Sequence, residues 1–314
     1  MKKFIFRSLV LGGVLFLLLC IADFGISNVL RNSNGPRGEG QVWNDIYQGN
    51  VNADLAIYGS SRAWVQISPS ILKDTLDVNV YNFGLNGHSF WLQYLRHIEY
   101  LKYNEKPSTI VLSVDVFSLA KRKDLYLYEQ FLPNMLWNNN IKHYTQSFLG
   151  FETIDYFVPL LRYKGEFDFI KKTYKKRHRA PLRHLGYKGI DEKWDSLLEK
   201  KRAENKNYKS AIDMGTMELF YKFIEECNKK DIHLIFVYAP EHITGQNFVQ
   251  NRDEIIHIFE EAATQNNIPF LNYSNDTINL NRAHFYNASH LNTKGAELFS
   301  SQLAHDLKQL GQLK

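Results

Sequence analysis

A serine closing the Gly59-Ser60-Ser61 turn and a histidine near the far end of the chain, His290, are the side chains best suited to chemistry here. Leu55-Ala56-Ile57-Tyr58 reads as a buried strand running into that turn, which would present a hydroxyl at a sheet edge. Asn287-Ala288-Ser289-His290 lies just ahead of a closing helical pattern. A hydroxyl nucleophile and a base that meet only in the folded chain are the minimum equipment for acyl transfer. The base takes the serine proton, and hydrogen-bond donors must face the developing oxyanion. Other polar groups follow the remaining strand patterns: Asn82-Phe83-Gly84-Leu85-Asn86-Gly87-His88, then Asp115, then Glu241-His242. Gly84 can bring a backbone N–H close to substrate, Asn86 can add a second donor, and Arg62 can hold an anionic group. His88 and His242 read as peripheral. Each residue also has a plainer reading, with Ser61 as a helix cap, Gly84 as a turn glycine and His290 as a hydrogen-bonded loop residue.

The elements that would position these groups alternate. Asp54–Tyr58, Val78–Phe83, Thr109–Val114, His233–Tyr238 and Ile268–Leu271 are short, β-branched, non-alternating runs, as expected of parallel strands covered on both faces. Helical spacing fills the intervals at Phe90–Lys102, Met214–Lys230, Glu254–Gln265 and Thr293–Leu310. The expected fold is therefore α/β, a doubly wound and mainly parallel sheet with helices on both faces in three flavodoxin-like layers. Its site should lie at the carboxyl ends of the strands. Residues 116–210 break the rhythm. They are rich in aromatics and then basic (Lys171-Lys172-Thr173-Tyr174-Lys175-Lys176-Arg177-His178-Arg179), and they read as an inserted cap over the strand ends. The basic run reads as a solvated or membrane-apposed face, with a groove for an acidic glycan as the sharper reading.

The first thirty residues differ from the rest. Lys2, Lys3 and Arg7 precede an uncharged run from Leu9 to Ala22, extended beyond Asp23 by Phe24 to Leu30. This reads as an uncleaved signal anchor over 1–30, followed by a polar linker over 31–50 and a main domain over 51–314. Cleavage after Ala22 and lipidation at Cys20 are the alternatives. The positive end should stay cytoplasmic, which places the domain outside a bacterial membrane crossed once. Cys227 is the one cysteine beyond that segment, so no disulfide framework and no cysteine-rich metal site is expected. There is no His-x-x-x-His spacing and no Gly-x-Ser-x-Gly elbow, so neither a metal nor any other cofactor is expected. A net charge of +5 without a nucleic-acid motif suits a membrane surface or an anionic glycan better than nucleic acid.

The order of these blocks resembles the SGNH, or GDSL-type, hydrolase superfamily from about residue 50 to 310. The match is nearest to membrane-anchored bacterial members associated with cell-surface polysaccharide acylation. The resemblance implies Ser61 as nucleophile, His290 as base, Asn287 in the place of the triad acid, and Gly84 N–H in the oxyanion hole. Two positions depart from the family pattern. Asp115 falls where an asparagine usually completes the oxyanion hole, and Asn287 stands where a carboxylate is usual, with Asp276, nearby in sequence, as the candidate substitute. The implied function is an extracytoplasmic serine esterase or O-acyltransferase acting on acyl groups, acetyl above all, of a cell-surface glycan. Its partners would be an acylated glycan or another acyl carrier, the membrane through the N-terminal helix, and a membrane acyltransferase. The alternative is a non-catalytic glycan-binding or assembly protein that keeps the fold.

Overall fold

A computed structural model describes residues 1–176, 182–192, 194–197, 200, 204 and 208–311. The end of the basic run, residues 177–179, lies outside the described residues. The chain opens with helix α1 (Lys2–Arg31), then α2 (Glu39–Tyr47), strand β1 (Leu55–Gly59), α3 (Ser61–Gln66), α4 (Pro69–Leu76) and β2 (Val80–Asn82). Next come α5 (Phe90–Tyr103), β3 (Thr109–Val114), α6 (Leu132–Met135), α7 (Asn139–Thr145) and α8 (Phe167–Lys176). After these are α9 (Met214–Lys229), β4 (His233–Tyr238), α10 (Ile243–Gln246), α11 (Arg252–Gln265) and β5 (Phe270–Asn272). A hairpin of β6 (Phe285–Asn287) and β7 (His290–Leu291) leads into α12 (Thr293–Leu310).

Two compact units result. One comprises residues 1–45 and 123–182, the other residues 46–122 and 183–314. The stretch read as a cap is thus divided, with 123–182 in the first unit and 116–122 and 183–210 in the second. The residues read as a linker include α2, which is helical.

In the first unit α1 is long and apolar enough to cross a membrane. Its residues 2–18 are exposed, whereas Asp23, Ser27 and Leu30 form one buried stripe. The spacing of four and three places them on a single helix face. The Asp23 carboxylate receives both nitrogens of the Arg162 fork, at 2.6 and 2.8 Å, together with the Leu160 N–H at 2.7 Å.

The second unit is built on a five-stranded parallel sheet of order β2-β1-β3-β4-β5. That order reverses direction between β1 and β3, which opens a crevice at their carboxyl ends. The two faces of β1 have different neighbours. Leu55 and Ile57 join Val111, Ile235 and Val237 in a core closed by Ala63 of α3, Ile67 just after it, Leu72 of α4 and Phe299, Leu303 and Leu307 of α12. Tyr58 faces the other side, against Phe83, His97 and Phe223. Phe90 of α5 meets Phe220 and Phe223 of α9 there. Aromatic rings thus fill the layer between the sheet and α5/α9. Residues 183–195 also belong to this unit. The Leu185 carbonyl accepts the Asn82 N–H at 2.9 Å, and the Asp195 N–H donates to Tyr286 O at 2.7 Å.

Candidate active site

The turn after β1 depends on glycine. Gly59 has φ +144°, and a Cβ there would lie 2.7 Å from Ser113 O and 2.8 Å from the Ala63 Cβ. The chain therefore passes close over β3 and starts α3 at once. Ser60 caps that helix by accepting the Arg62 N–H at 3.2 Å, while its hydroxyl donates to Asp115 Oδ2 at 2.5 Å. Ser61 is the first residue of α3 and is half-buried.

His290 arrives from the other end of the sequence on the β6–β7 hairpin, half-buried, with its Nε2 2.8 Å from Ser61 Oγ. Asn287 Oδ1 accepts the Ser289 N–H at 2.9 Å and lies 3.0 Å from His290 Nδ1. The Ser289 N–H fixes that amide with its oxygen toward the ring, so Nδ1 carries the imidazole proton. Nε2 is then left as an acceptor for Ser61. The Tyr286 ring stacks on His290, with centroids 5.4 Å apart and planes 16° apart. Burial, reinforced by the positive charge of Arg62, pushes the His290 pKa down to about 3. The ring is neutral at physiological pH, as a base must be before it acts.

These residues open on a cavity of about 470 Å³ at the β1/β3 crevice. Ser61, Asp115, Glu241 and His290 line it, with Gly87, His88 and Ser89 on one side and Phe117, Lys121, Arg122 and Tyr208 on another. Tyr208 stacks on Phe248 at 4.9 Å and lies 6.3 Å from Phe117. Lys121 Nζ sits 3.4 Å above the Trp91 ring.

Several sequence expectations change here. The Gly84 N–H is not directed to an oxyanion hole; it donates to Asn82 Oδ1 at 2.8 Å inside its own turn. Gly84 is needed for close packing instead. A Cβ would fall against the Trp64 backbone nitrogen and 2.7 Å from its Cα. The glycine on the cavity wall is Gly87, at φ +75°. Asn86 is buried and lies off that wall. Arg62 does line the cavity, but it is no open anion hook. Its guanidinium is buried, donates to Ala239 O, lies 3.5 Å from Glu241 Oε2 and covers the Tyr238 ring at 4.7 Å. Asp115 has both oxygens engaged, one by Ser60 and the other by the Phe117 N–H at 2.8 Å. Asp276 does not approach His290; it accepts the Ile278 N–H at 2.9 Å and a Gln302 amide at 2.9 Å. His242 accepts the Thr244 N–H at 3.3 Å at the start of α10, off the cavity wall.

The Ser60–Asp115 pair was not anticipated. Gly59 pairs with Ser113 across β1 and β3, so the residues just beyond both strands fall at one level of the sheet. The strand ends in the sequence carry that signal once their register is known. Lys121, Arg122 and Tyr208 carried none, since they come from loops without a pattern.

No family model and no curated protein matches this sequence. Among solved structures the chain is similar to a candidate acylhydrolase from Bacteroides fragilis, with 14% identity, 85% of this chain and 93% of the other covered, and a TM-score of 0.38. It is also similar to a GDSL-like lipase from Bacteroides thetaiotaomicron, with 12% identity, 81% and 88% covered, and a TM-score of 0.35. Likeness at this level assigns no activity to the chain.

Proposed function

We propose that the protein is a serine esterase or O-acyltransferase of the SGNH type. The observation that carries this reading is the line Ser61–His290–Asn287, joined at 2.8 and 3.0 Å beside a cavity at the strand ends. Ser61 Oγ attacks the acyl carbonyl while His290 Nε2 takes its proton. The oxyanion of the tetrahedral intermediate meets the Ser61 N–H at the start of α3, with the Gly87 backbone on the cavity wall as a second candidate donor. Collapse expels the alcohol, which takes the proton back from His290, and leaves an acyl ester on Ser61. Water or a second hydroxyl, deprotonated by the same imidazole, then attacks that ester and releases Ser61. Water gives hydrolysis, and a sugar hydroxyl gives transfer.

A cell-surface glycan carrying small acyl groups, such as acetyl, suits a cavity of about 470 Å³ with Phe117 and Tyr208 on its wall. Aromatic faces pack against the apolar faces of sugar rings. With α1 crossing the membrane once, the catalytic unit works on the extracytoplasmic side, where a membrane acyltransferase can supply the acyl group. One observation favours a second reading. An amide at 287 leaves the imidazolium without a carboxylate, as in a fold retained for glycan binding or assembly alone.

Fluorophosphonate labelling of the full chain in detergent, followed by peptide mass spectrometry, separates the two. An adduct on Ser61 that is absent in His290→Ala supports the enzyme. A folded chain that takes up no label at Ser61 supports the binding role.

A further inference from the structure

The exposed part of α1 has the length of a membrane. Its continuous exposed run, Lys2 to Leu18, is seventeen residues, which at 1.5 Å each span about 26 Å against a hydrocarbon core of about 30 Å. Beyond Leu18 one face of the helix is buried against the rest of the first unit, while Ile21 and Phe24 on the other face stay exposed. Asp23 is ionically and bidentately paired with Arg162, receives the Ser27 hydroxyl at 3.2 Å, and is buried in protein, with Ser27 itself 2.8 Å from the Tyr163 hydroxyl. A buried charge satisfied this fully fixes the helix to the unit, so the point where α1 leaves the bilayer fixes which part of the unit meets the surface.

Helix α8 packs against α1. The segment leading into α8, Leu160 to Tyr163, is pinned to Asp23 and Ser27, only one to two turns beyond the exposed stretch. Thr173 of α8 points inward, whereas Phe167 is 74% exposed and Tyr174 50% exposed. Seven residues apart, the two rings share one helix face. Lys171 and Lys175 are exposed beside them, about 40° and 80° round the helix from Phe167. Two large rings held in water are unfavourable, but aromatic rings among lysines match a headgroup layer, with rings at the acyl boundary and ammonium groups on phosphates.

We infer that α8 lies on the anionic headgroup layer of the bilayer crossed by α1, with Phe167 and Tyr174 inserted and Lys171 and Lys175 on lipid phosphates. The inference rests on α1 spanning a membrane and is independent of the acyl chemistry at Ser61.

The test uses the full chain with Cys20→Ala, acrylodan-labelled at Phe167→Cys or Tyr174→Cys. It is reconstituted in phosphatidylcholine vesicles with and without about one third phosphatidylglycerol. Leu280, exposed in the second unit, carries the reference label through Leu280→Cys. The expected result is blue-shifted emission at 167 and 174 relative to 280, larger with phosphatidylglycerol and reduced by Lys171→Glu/Lys175→Glu. Carbonate extraction identifies which premise fails. Emission at 167 and 174 matching that at 280 in carbonate-resistant vesicles overturns the docked α8 alone. A chain released by carbonate overturns the spanning α1 and the inference with it. A shift that appears in detergent and scales with protein concentration assigns the face to a second copy instead.

Discussion

Asn287 Oδ1 stands 3.0 Å from His290 Nδ1, held there by the Ser289 N–H, so the histidine is oriented without being charged-paired. An amide oxygen fixes the tautomer and aims Nε2 at Ser61. It offers an imidazolium far less than a carboxylate does, and the neighbouring charge of Arg62 opposes protonation further.

Replacing Asn287 with Asp should therefore strengthen the base. In a serine protease the reverse change costs about 10⁴-fold in turnover. Because this site is built around the amide, a gain of about tenfold or more in kcat for an activated ester is expected. The acid limb of the pH–rate profile should move up from near the His290 value of about 3. Steady-state hydrolysis of p-nitrophenyl acetate across pH 4–9 measures both. A folded variant with lower kcat and an unmoved limb would contradict the proposed role of His290.

The Ser60–Asp115 contact predicts a second effect. Ser60→Ala removes a helix cap worth about 1 kcal/mol and strips Asp115 of its hydroxyl donor. The carboxylate then keeps only the Phe117 N–H on the cavity wall where negative charge develops. Acylation should slow by about tenfold with KM little changed, and adding Asp115→Asn should recover part of it. Burst kinetics of ester cleavage give the acylation rate directly, and an unchanged burst would remove Asp115 from the argument.

His97 links folding to pH. Its ring is buried among Tyr58, Tyr94 and Phe223, with Nδ1 3.1 Å from the Tyr58 hydroxyl, and burial holds its pKa at about 3. An unfolded histidine titrates near 6.5. Between those values the unfolded chain binds more protons than the folded one, so stability rises with pH through this window. The contribution is complete above pH 6.5 and is lost as pH falls toward 3, with His290 acting in the same direction. His97 alone should remove on the order of 4 kcal/mol by the bottom of the window. Denaturation midpoints from pH 7 to pH 4 should fall steeply, and His97→Phe should flatten the slope. Equal slopes in the two chains would place the pH dependence elsewhere.

Gly84→Ala tests the packing role of that glycine. The added methyl meets the Trp64 backbone, which is part of the helix that carries Ser61. Overpacking against backbone costs about 1–3 kcal/mol. A lower melting temperature is expected, together with slower fluorophosphonate labelling of Ser61 as α3 shifts. An unperturbed variant would show that α3 tolerates displacement at Trp64.

Local pattern alone determined much of this protein. Thr109–Val114, His233–Tyr238 and Thr293–Leu310 have the bounds read from their apolar periodicity, because a covered strand and a one-sided helix impose different spacings on the chain. The Gly59 turn and the apolar N-terminal helix were legible for the same reason, since a special backbone conformation and an uncharged run are local properties. Tertiary structure alone decided which polar ends meet. Ser61 and His290 were visible as types, but their 2.8 Å contact exists because α12 folds back against α3 and brings the β6–β7 hairpin to the crevice. The sequence pointed to Gly84 as an oxyanion donor, whereas Asn82 Oδ1 takes its N–H within the turn. Arg62 looked open to substrate until β4 placed Glu241 and Ala239 beside it. Strand order and register are set by non-local burial, and no stretch of sequence contains its own neighbours.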